Sequence, residues 1–278
     1  GPLASDVLNN PYGVAADNTG VYIADATNHR VLFFPGTSAA PSRVYGQGGS
    51  FTTNTQNRGG LSADSLSGPT GVAVDGSGIY IADNGNNRVL WYSGTSTTAT
   101  RVYGQGGSFT SFLINNGGIS ANSLYFPTSL ALDGTGVYIV DYANHRVLCY
   151  SGTSTTATRV YGQAGSFSAN TLNNGGVSAN SLYFPLAVAV DGTGVYIADG
   201  NNNRVLWYSG SSTTATRVYG QGGIFTANTS NYGGLSANSL SAPAGIALDG
   251  TGVYIADYNN NRALWYSGTS TTATRVYG

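Results

Sequence analysis

An all-β fold built from five equivalent four-stranded sheets is what this sequence predicts, and three observations carry that expectation. The first is composition. Gly (41) and Tyr (20) are abundant among 278 residues, Met is absent, the 11 basic residues are all Arg and the 12 acidic residues are all Asp. The missing Lys, Glu and Met are strong helix formers, so a helical protein is excluded. The second is repetition. Tyr-Ile-Ala/Val-Asp begins at Tyr22, Tyr80, Tyr138, Tyr196 and Tyr254, each 58 residues after the last. Arg-Val-Tyr-Gly keeps the same interval from Arg43 to Arg275. A period of this length marks a repeat architecture. The third is that apolar residues occupy both strand parities, as in Val89 and Trp91 against Leu90 and Tyr92. Such strands belong to sheets covered on both faces.

Each unit divides into four strands, shown best by the second. Gly71–Asp75 runs through Gly76-Ser77-Gly78 into Ile79–Asp83, a hairpin signature. Arg88–Tyr92 follows a short Asn-Gly-Asn-Asn loop, and Ser93–Thr100 turns into Arg101–Gly104. Burying a Val, Leu or Ile stabilises by about 1.5–3 kcal/mol, and one unit cannot cover its own two faces. The units must therefore stack. The first and fifth keep the apolar positions of the middle three, unlike the polar caps of an open solenoid, so closure into a β-propeller ring is expected. The expected blades are 11–46, 69–104, 127–162, 185–220 and 243–278 of a single domain spanning 1–278. Each comes from one continuous repeat, with no strand shared between the termini. Gly1-Pro2 reads as a protease-cleavage remnant, and Leu3 aligns with Leu61.

The segment after each second strand carries a family resemblance. It reads Asp25-Ala-Thr-Asn28-His29-Arg30-Val31-Leu32 in the first unit and Asp141-Tyr-Ala-Asn144-His145-Arg146-Val147-Leu148 in the third. The other three hold Asn86-Asn87-Arg88, Asn202-Asn203-Arg204 and Asn260-Asn261-Arg262 at the same place, and a Pro-x-Gly-Val-Ala-Val-Asp strand such as Pro69–Asp75 precedes. This resembles the NHL repeat, covering about two-thirds of every unit. The resemblance implies a propeller that serves as a binding or scaffold module. Two features depart from its usual pattern: five blades stand where six are common, and the join between blades is long, 22 residues over Gly48–Pro69.

The charged motif reads as structural. Five pairs recur, Asp25/Arg30, Asp83/Arg88, Asp141/Arg146, Asp199/Arg204 and Asp257/Arg262, and a fivefold feature has no reason to be one active site. A carboxylate and guanidinium across a tight loop suit a bidentate pair that pins the turn. His29 and His145 share the position filled by Asn87, Asn203 and Asn261 and lack companion ligands, so no metal is expected. The metal-dependent lyases and lactonases that resemble the family use histidines this chain lacks. The Asp-Gly-Ser/Thr-Gly turns at Asp75, Asp133, Asp191 and Asp249, and Asp17-Asn-Thr-Gly, supply too few oxygens for calcium and read as hairpin turns. Cys149 replaces an aromatic held by Phe33, Trp91, Trp207 and Trp265, which leaves a hole expected to make the third blade the least well packed. A lone Cys excludes a disulfide framework. No nucleophile–base constellation or phosphate loop emerges, so neither enzyme nor cofactor is expected.

Two features remain for recognition. Each join holds a Phe (Phe51, Phe109, Phe167, Phe225), an Asn (Asn57, Asn115, Asn173, Asn231), Gly-Gly and apolar anchors, and is expected to fold onto its blade. The short loop after each second strand differs among units: Ala26-Thr27, Asn84-Gly85, Tyr142-Ala143, Gly200-Asn201 and Tyr258-Asn259. Blade connectivity places joins and these loops on one face. The expected function is a non-enzymatic binding module with five quasi-equivalent surfaces, its partner a glycan contacted by the four join asparagines with Asn84, Tyr142, Asn201 and Tyr258, or a protein surface; the alternative is a purely structural propeller without a small-molecule ligand. A net charge of −1 offers no basic face for nucleic acid, including the RNA bound by some animal relatives of the family. No run approaches the roughly 20 apolar residues of a membrane span. The expected state is a monomer, extracellular or on a bacterial surface.

Overall fold

The computed structural model describes residues 5–278, so Gly1-Pro2 and Leu3 lie outside the described residues. The fold is a five-bladed β-propeller whose sheets each hold four strands in chain order. The first blade comprises β1–β4 (Pro11–Asp17, Gly20–Asp25, Arg30–Pro35, Arg43–Tyr45) and the second β5–β8 (Pro69–Asp75, Gly78–Asp83, Arg88–Ser93, Arg101–Tyr103). The third holds β9–β12 (Pro127–Leu132, Gly136–Asp141, Arg146–Ser151, Arg159–Tyr161). The fourth holds β13–β16 (Pro185–Asp191, Gly194–Asp199, Arg204–Ser209, Arg217–Tyr219), and the fifth β17–β20 (Pro243–Leu248, Gly252–Asp257, Arg262–Ser267, Arg275–Tyr277).

Local chemistry sets the strand boundaries. At the first hairpin of the second blade, the Asp75 carboxylate accepts hydrogen bonds from the Ser77 amide (2.8 Å), the Ser77 hydroxyl (2.6 Å) and the Gly78 amide (3.1 Å). That Asx-type turn replaces a backbone ladder and sends the chain back. Between the second and third strands sits a one-turn 3-10 segment closed by a left-handed residue, His29 at φ 52° and Asn87 at φ 53°. Asn tolerates that region better than most residues, which explains its recurrence there. The third strand then pairs in register, Asp83 opposite Arg88 and Ile81 opposite Leu90.

The chain forms two compact units, Gly1–Gly134 with Thr153–Thr156, and Thr135–Gly152 with Ala157–Gly278. In the first unit the core lies between blades one and two. Tyr22, Ala24, Val31 and Tyr45 of the first blade meet Val72, Ile79, Ile81, Leu90 and Tyr92 of the second, with Leu66 of the join sealed among them. The Tyr45 and Tyr92 rings pack edge to face at 5.0 Å. Gly13 permits the approach, since a Cβ there would stand 2.2 Å from the Thr70 carbonyl oxygen. In the second unit the same arrangement lies between blades four and five. Tyr196, Ala198, Val205 and Tyr219 face Val253, Ile255, Leu264 and Tyr266, sealed by Leu240.

Equivalent positions of the five blades differ in exposure. On the first blade Tyr12 and Val14 are 64% and 68% exposed, whereas Val72 and Val188 are buried. On the fifth, Val276 and Tyr277 are 59% and 47% exposed, whereas Val102 and Tyr103 are buried.

Candidate functional site

The repeated Asp–Arg motif ties each blade to its flanking joins. In the second blade Arg88 Nε donates to Asp83 Oδ2 at 2.7 Å, both side chains being fully buried. The pair is not the bidentate one expected. Asp83 Oδ2 also accepts from Asn86 Nδ2 at 2.8 Å, and Oδ1 accepts the Ser67 amide at 2.7 Å. Arg88 sends Nη2 to the Ser62 and Ser65 carbonyls, 2.9 Å each, and Nη1 to the Phe109 carbonyl. One guanidinium thus holds the join before the blade and the join after it. Backbone carbonyls compete for its second edge, so the fork cannot lie flat on the carboxylate. Burial pushes the Asp83 and Asp199 carboxyls up, opposed by Arg88 and Arg204. Nε–Oδ2 ion pairs of 2.7–2.8 Å recur at Asp25/Arg30, Asp141/Arg146, Asp199/Arg204 and Asp257/Arg262.

The join asparagines sit in the same network. Asn57 Nδ2 donates to Asn86 Oδ1 at 2.9 Å, and Asn86 Nδ2 returns a bond to Asn57 Oδ1 at 2.7 Å. Asn173 pairs reciprocally with Asn202, and Asn231 with Asn260. These amides are occupied within the protein. Asn115 holds the equivalent join position, with its side chain half-buried. A second set of residues escaped the sequence reading: Gln47, Gln105, Gln163 and Gln221, all buried and all at positive φ. Gln105 Nε2 reaches the Asn87 and Leu113 carbonyls at 3.0 and 2.8 Å. Their presence in all four joins was the signal that could have found them.

Against this pinned framework one segment stands out. The second join places Phe112, Leu113 and Ile114 where the first has Asn54, Thr55 and Gln56. Their side chains are 57%, 58% and 54% exposed. Their backbone is held, because Asn87 Nδ2 donates to the Phe112 carbonyl at 2.9 Å while Gln105 takes that of Leu113. Phe126 lies opposite at φ 51°, a strained backbone for a bulky residue where the first join has Gly68. Its amide is fixed by Asn87 Oδ1 at 3.0 Å. With Gly85 and Asn87 these four apolar residues line an open hollow of about 560 Å³.

The variable-loop residues distribute around the blades. Asn84 is half-buried and donates to the Pro127 carbonyl at 3.0 Å. Tyr142 stacks on Phe184 at 4.7 Å, and His145 meets the edge of the same ring at 4.4 Å. Asn201 is exposed, and Tyr258 is 70% exposed. His29 Nδ1 accepts the Gly68 amide at 2.9 Å and His145 Nδ1 the Phe184 amide at 3.2 Å. Burial pushes both imidazoles down, with Asp83 acting against this at His29. Cys149 is buried, and Arg159 Nη2 approaches its Sγ at 3.3 Å. Among the described residues no group of three or more His, Cys, Asp or Glu is placed to hold a metal.

Five four-stranded sheets carrying one motif in phase define a repeat β-propeller, the class of fold that generally serves binding and scaffolding. The profile of the NHL repeat matches residues 66–92, from the join into the third strand of the second blade. The Asp-x-x-Asn-x-Arg motif inside the matched segment recurs in every blade of this β-propeller. Among solved structures it is similar to a chain in the crystal structure of a nidogen/laminin complex, with a TM-score of 0.59 and 15% identity, over 96% of this chain and 79% of that one. That likeness concerns the fold. No curated protein matches the sequence. Among the described residues no helix is long and apolar enough to cross a membrane.

Proposed function

We propose that this propeller is a non-enzymatic module that binds protein partners through the join face of its second blade. One observation carries the reading: Phe112, Leu113 and Ile114 project into solvent from a backbone held by Asn87 and Gln105, beside the strained Phe126. Apolar groups displayed on a fixed backbone bind with little ordering cost, and aromatic anchors in a hollow are the usual centres of protein interfaces. Loops on a rigid scaffold are where such function resides. The similar fold in the nidogen/laminin complex belongs to an assembly of two proteins, which supports this reading, and an extracellular or cell-surface setting is part of the proposal.

A glycan reading rests on exposed Asn201 and Tyr258, polar and aromatic groups able to hydrogen-bond and stack on a sugar. The occupied amides of Asn57, Asn173 and Asn231 leave it fewer contacts. Selection from a displayed random-peptide library, run beside a glycan array, separates the two. The protein reading expects peptides rich in aromatic and aliphatic residues, lost in a Phe112→Asn, Leu113→Thr, Ile114→Gln variant that installs the first join's own sequence. An empty peptide selection with titratable sugars would overturn it.

A further inference from the structure

We propose that the groove between the fourth and fifth blades, at the turn ends opposite the joins, binds a neutral sugar. Asp191, Tyr196, Trp207 and Arg217 of the fourth blade face Leu248 and Thr251 of the fifth across a hollow of about 310 Å³. That is the small end of the range for ligand pockets, and it suits a ligand of one or two sugar rings. The Tyr196 and Trp207 rings stand 6.3 Å apart at 52°. Trp207 is half-buried, so part of its indole is left to the hollow as a platform for the C–H face of a sugar ring. The groove shares no residue with the join surface of the second blade and does not rest on that reading.

The polar groups of the hollow select the ligand. Asp191 Oδ1 accepts from the Thr193 amide and hydroxyl, 2.7 Å each, and from the Gly194 amide at 2.9 Å. Among the described residues nothing donates to its Oδ2. In the fifth blade the equivalent oxygen is taken, because the Tyr254 hydroxyl donates to Asp249 Oδ2 at 3.0 Å. Arg217 lies over the Trp207 ring at 4.1 Å and donates Nη1 to the Tyr219 hydroxyl at 3.2 Å. A guanidinium carries five N–H groups, so donors remain. Among the described residues Asp191 and Arg217 form no ion pair with each other; the five ion pairs all belong to the Asp–Arg motif. An anion in the hollow would meet Asp191, and a cation would meet Arg217. Neighbouring hydroxyls on a neutral ring both donate and accept, so they can use Asp191 Oδ2 and the Arg217 donors together while the ring lies on Trp207 and Leu248.

Titration of the full chain, followed by nuclear magnetic resonance, tests it. The probes are galactose, mannose, fucose and N-acetylglucosamine, with inorganic phosphate and glycine as charged controls. At least one sugar should saturate the Trp207 indole and Thr251 signals with a Kd of about 0.1–10 mM, the strength expected of about 12 non-hydrogen atoms. Trp207→Cys installs the residue that the third blade holds at this position, Cys149, and should weaken binding at least about tenfold. Thr269→Arg, at an exposed residue lining the hollow, fills the groove without touching the core and should weaken binding by at least about as much, tenfold. The Phe112→Asn, Leu113→Thr, Ile114→Gln variant should bind sugar like wild type, so this site and the peptide surface can each fail without the other. No saturation by any of the sugars, saturation by phosphate or glycine alone, or sugar binding that neither groove variant weakens would overturn the proposal.

Discussion

The second and fifth blades carry almost the same residues in different surroundings, and the difference between them shows what stabilises a blade. Arg88 and Arg262 make the same bonds to an aspartate and to two serine carbonyls of the preceding join. Arg88 adds the Phe109 carbonyl from the following join and is fully buried; Arg262 retains 13% side-chain exposure. Tyr103 is buried and Tyr277 is not, although both end an Arg-Val-Tyr strand paired with the same register. The strand ladder is thus a property of the repeat, while burial comes from the next repeat. Stability in such arrays is a sum of unit and neighbour terms.

Substitutions in matched pairs sharpen that comparison. The largest difference should come from the arginines. Arg88→Met leaves Asp83 buried without its partner and should cost about 3–5 kcal/mol in urea unfolding. Arg262→Met should cost clearly less, and equal losses would break the comparison. Next come the seals: Leu66→Ala should cost about 2–5 kcal/mol, as for a large-to-small change in a core. Leu8→Ala, at the equivalent half-buried position one period earlier, should cost about 0.5 kcal/mol, as at a surface. A smaller gain is expected in the third blade. Arg101 and Arg217 stack on Trp91 and Trp207 at 4.2 and 4.1 Å, while Arg159 lies 5.8 Å from the Tyr138 ring because Cys149 replaces the indole. Cys149→Trp should stabilise by about 0.5–1 kcal/mol through the restored stack, read by thermal melting.

The smallest effect concerns pH. Burial sets the folded-state pKa of His29 and His145 below the unfolded value of 6.5. The unfolded chain then binds more protons in that window, so the histidines' contribution is full above about pH 6.5 and is lost as pH falls towards the folded pKa. A His29→Asn, His145→Asn double variant, carrying the residue used by the other blades, should melt with less pH dependence between pH 7 and 5. An unchanged pH profile would show that neither imidazole senses its burial.

The strands were legible because alternation, turn chemistry and a fixed period agreed at every copy. Asp75 and Gly78 marked the hairpin, and the strands around them begin and end within two residues of the places read from sequence. Exposure was not legible, since Val276 and Val102 are the same residue at the same repeat position and differ in burial. The glutamines and the Phe112-Leu113-Ile114 segment were missed for opposite reasons. Gln105 keeps its place in every join but its Asn87 partner is 18 residues away, while the apolar tripeptide occurs in one join only. The join asparagines drew notice as recognition groups; their reciprocal amide pairs could not be inferred from spacing, because Asn57 and Asn86 lie 29 residues apart.

Amide hydrogen exchange on the Arg-Val-Tyr strands tests the claim that a neighbouring blade supplies the protection. Arg101–Tyr103, Arg217–Tyr219 and Arg275–Tyr277 share a sequence, so their intrinsic exchange rates match and any contrast reports structure. Val276 and Tyr277 should exchange at least about tenfold faster than Val102, Tyr103, Val218 and Tyr219. Equal protection across the three strands would mean that each blade is stable without the next, and would contradict the account.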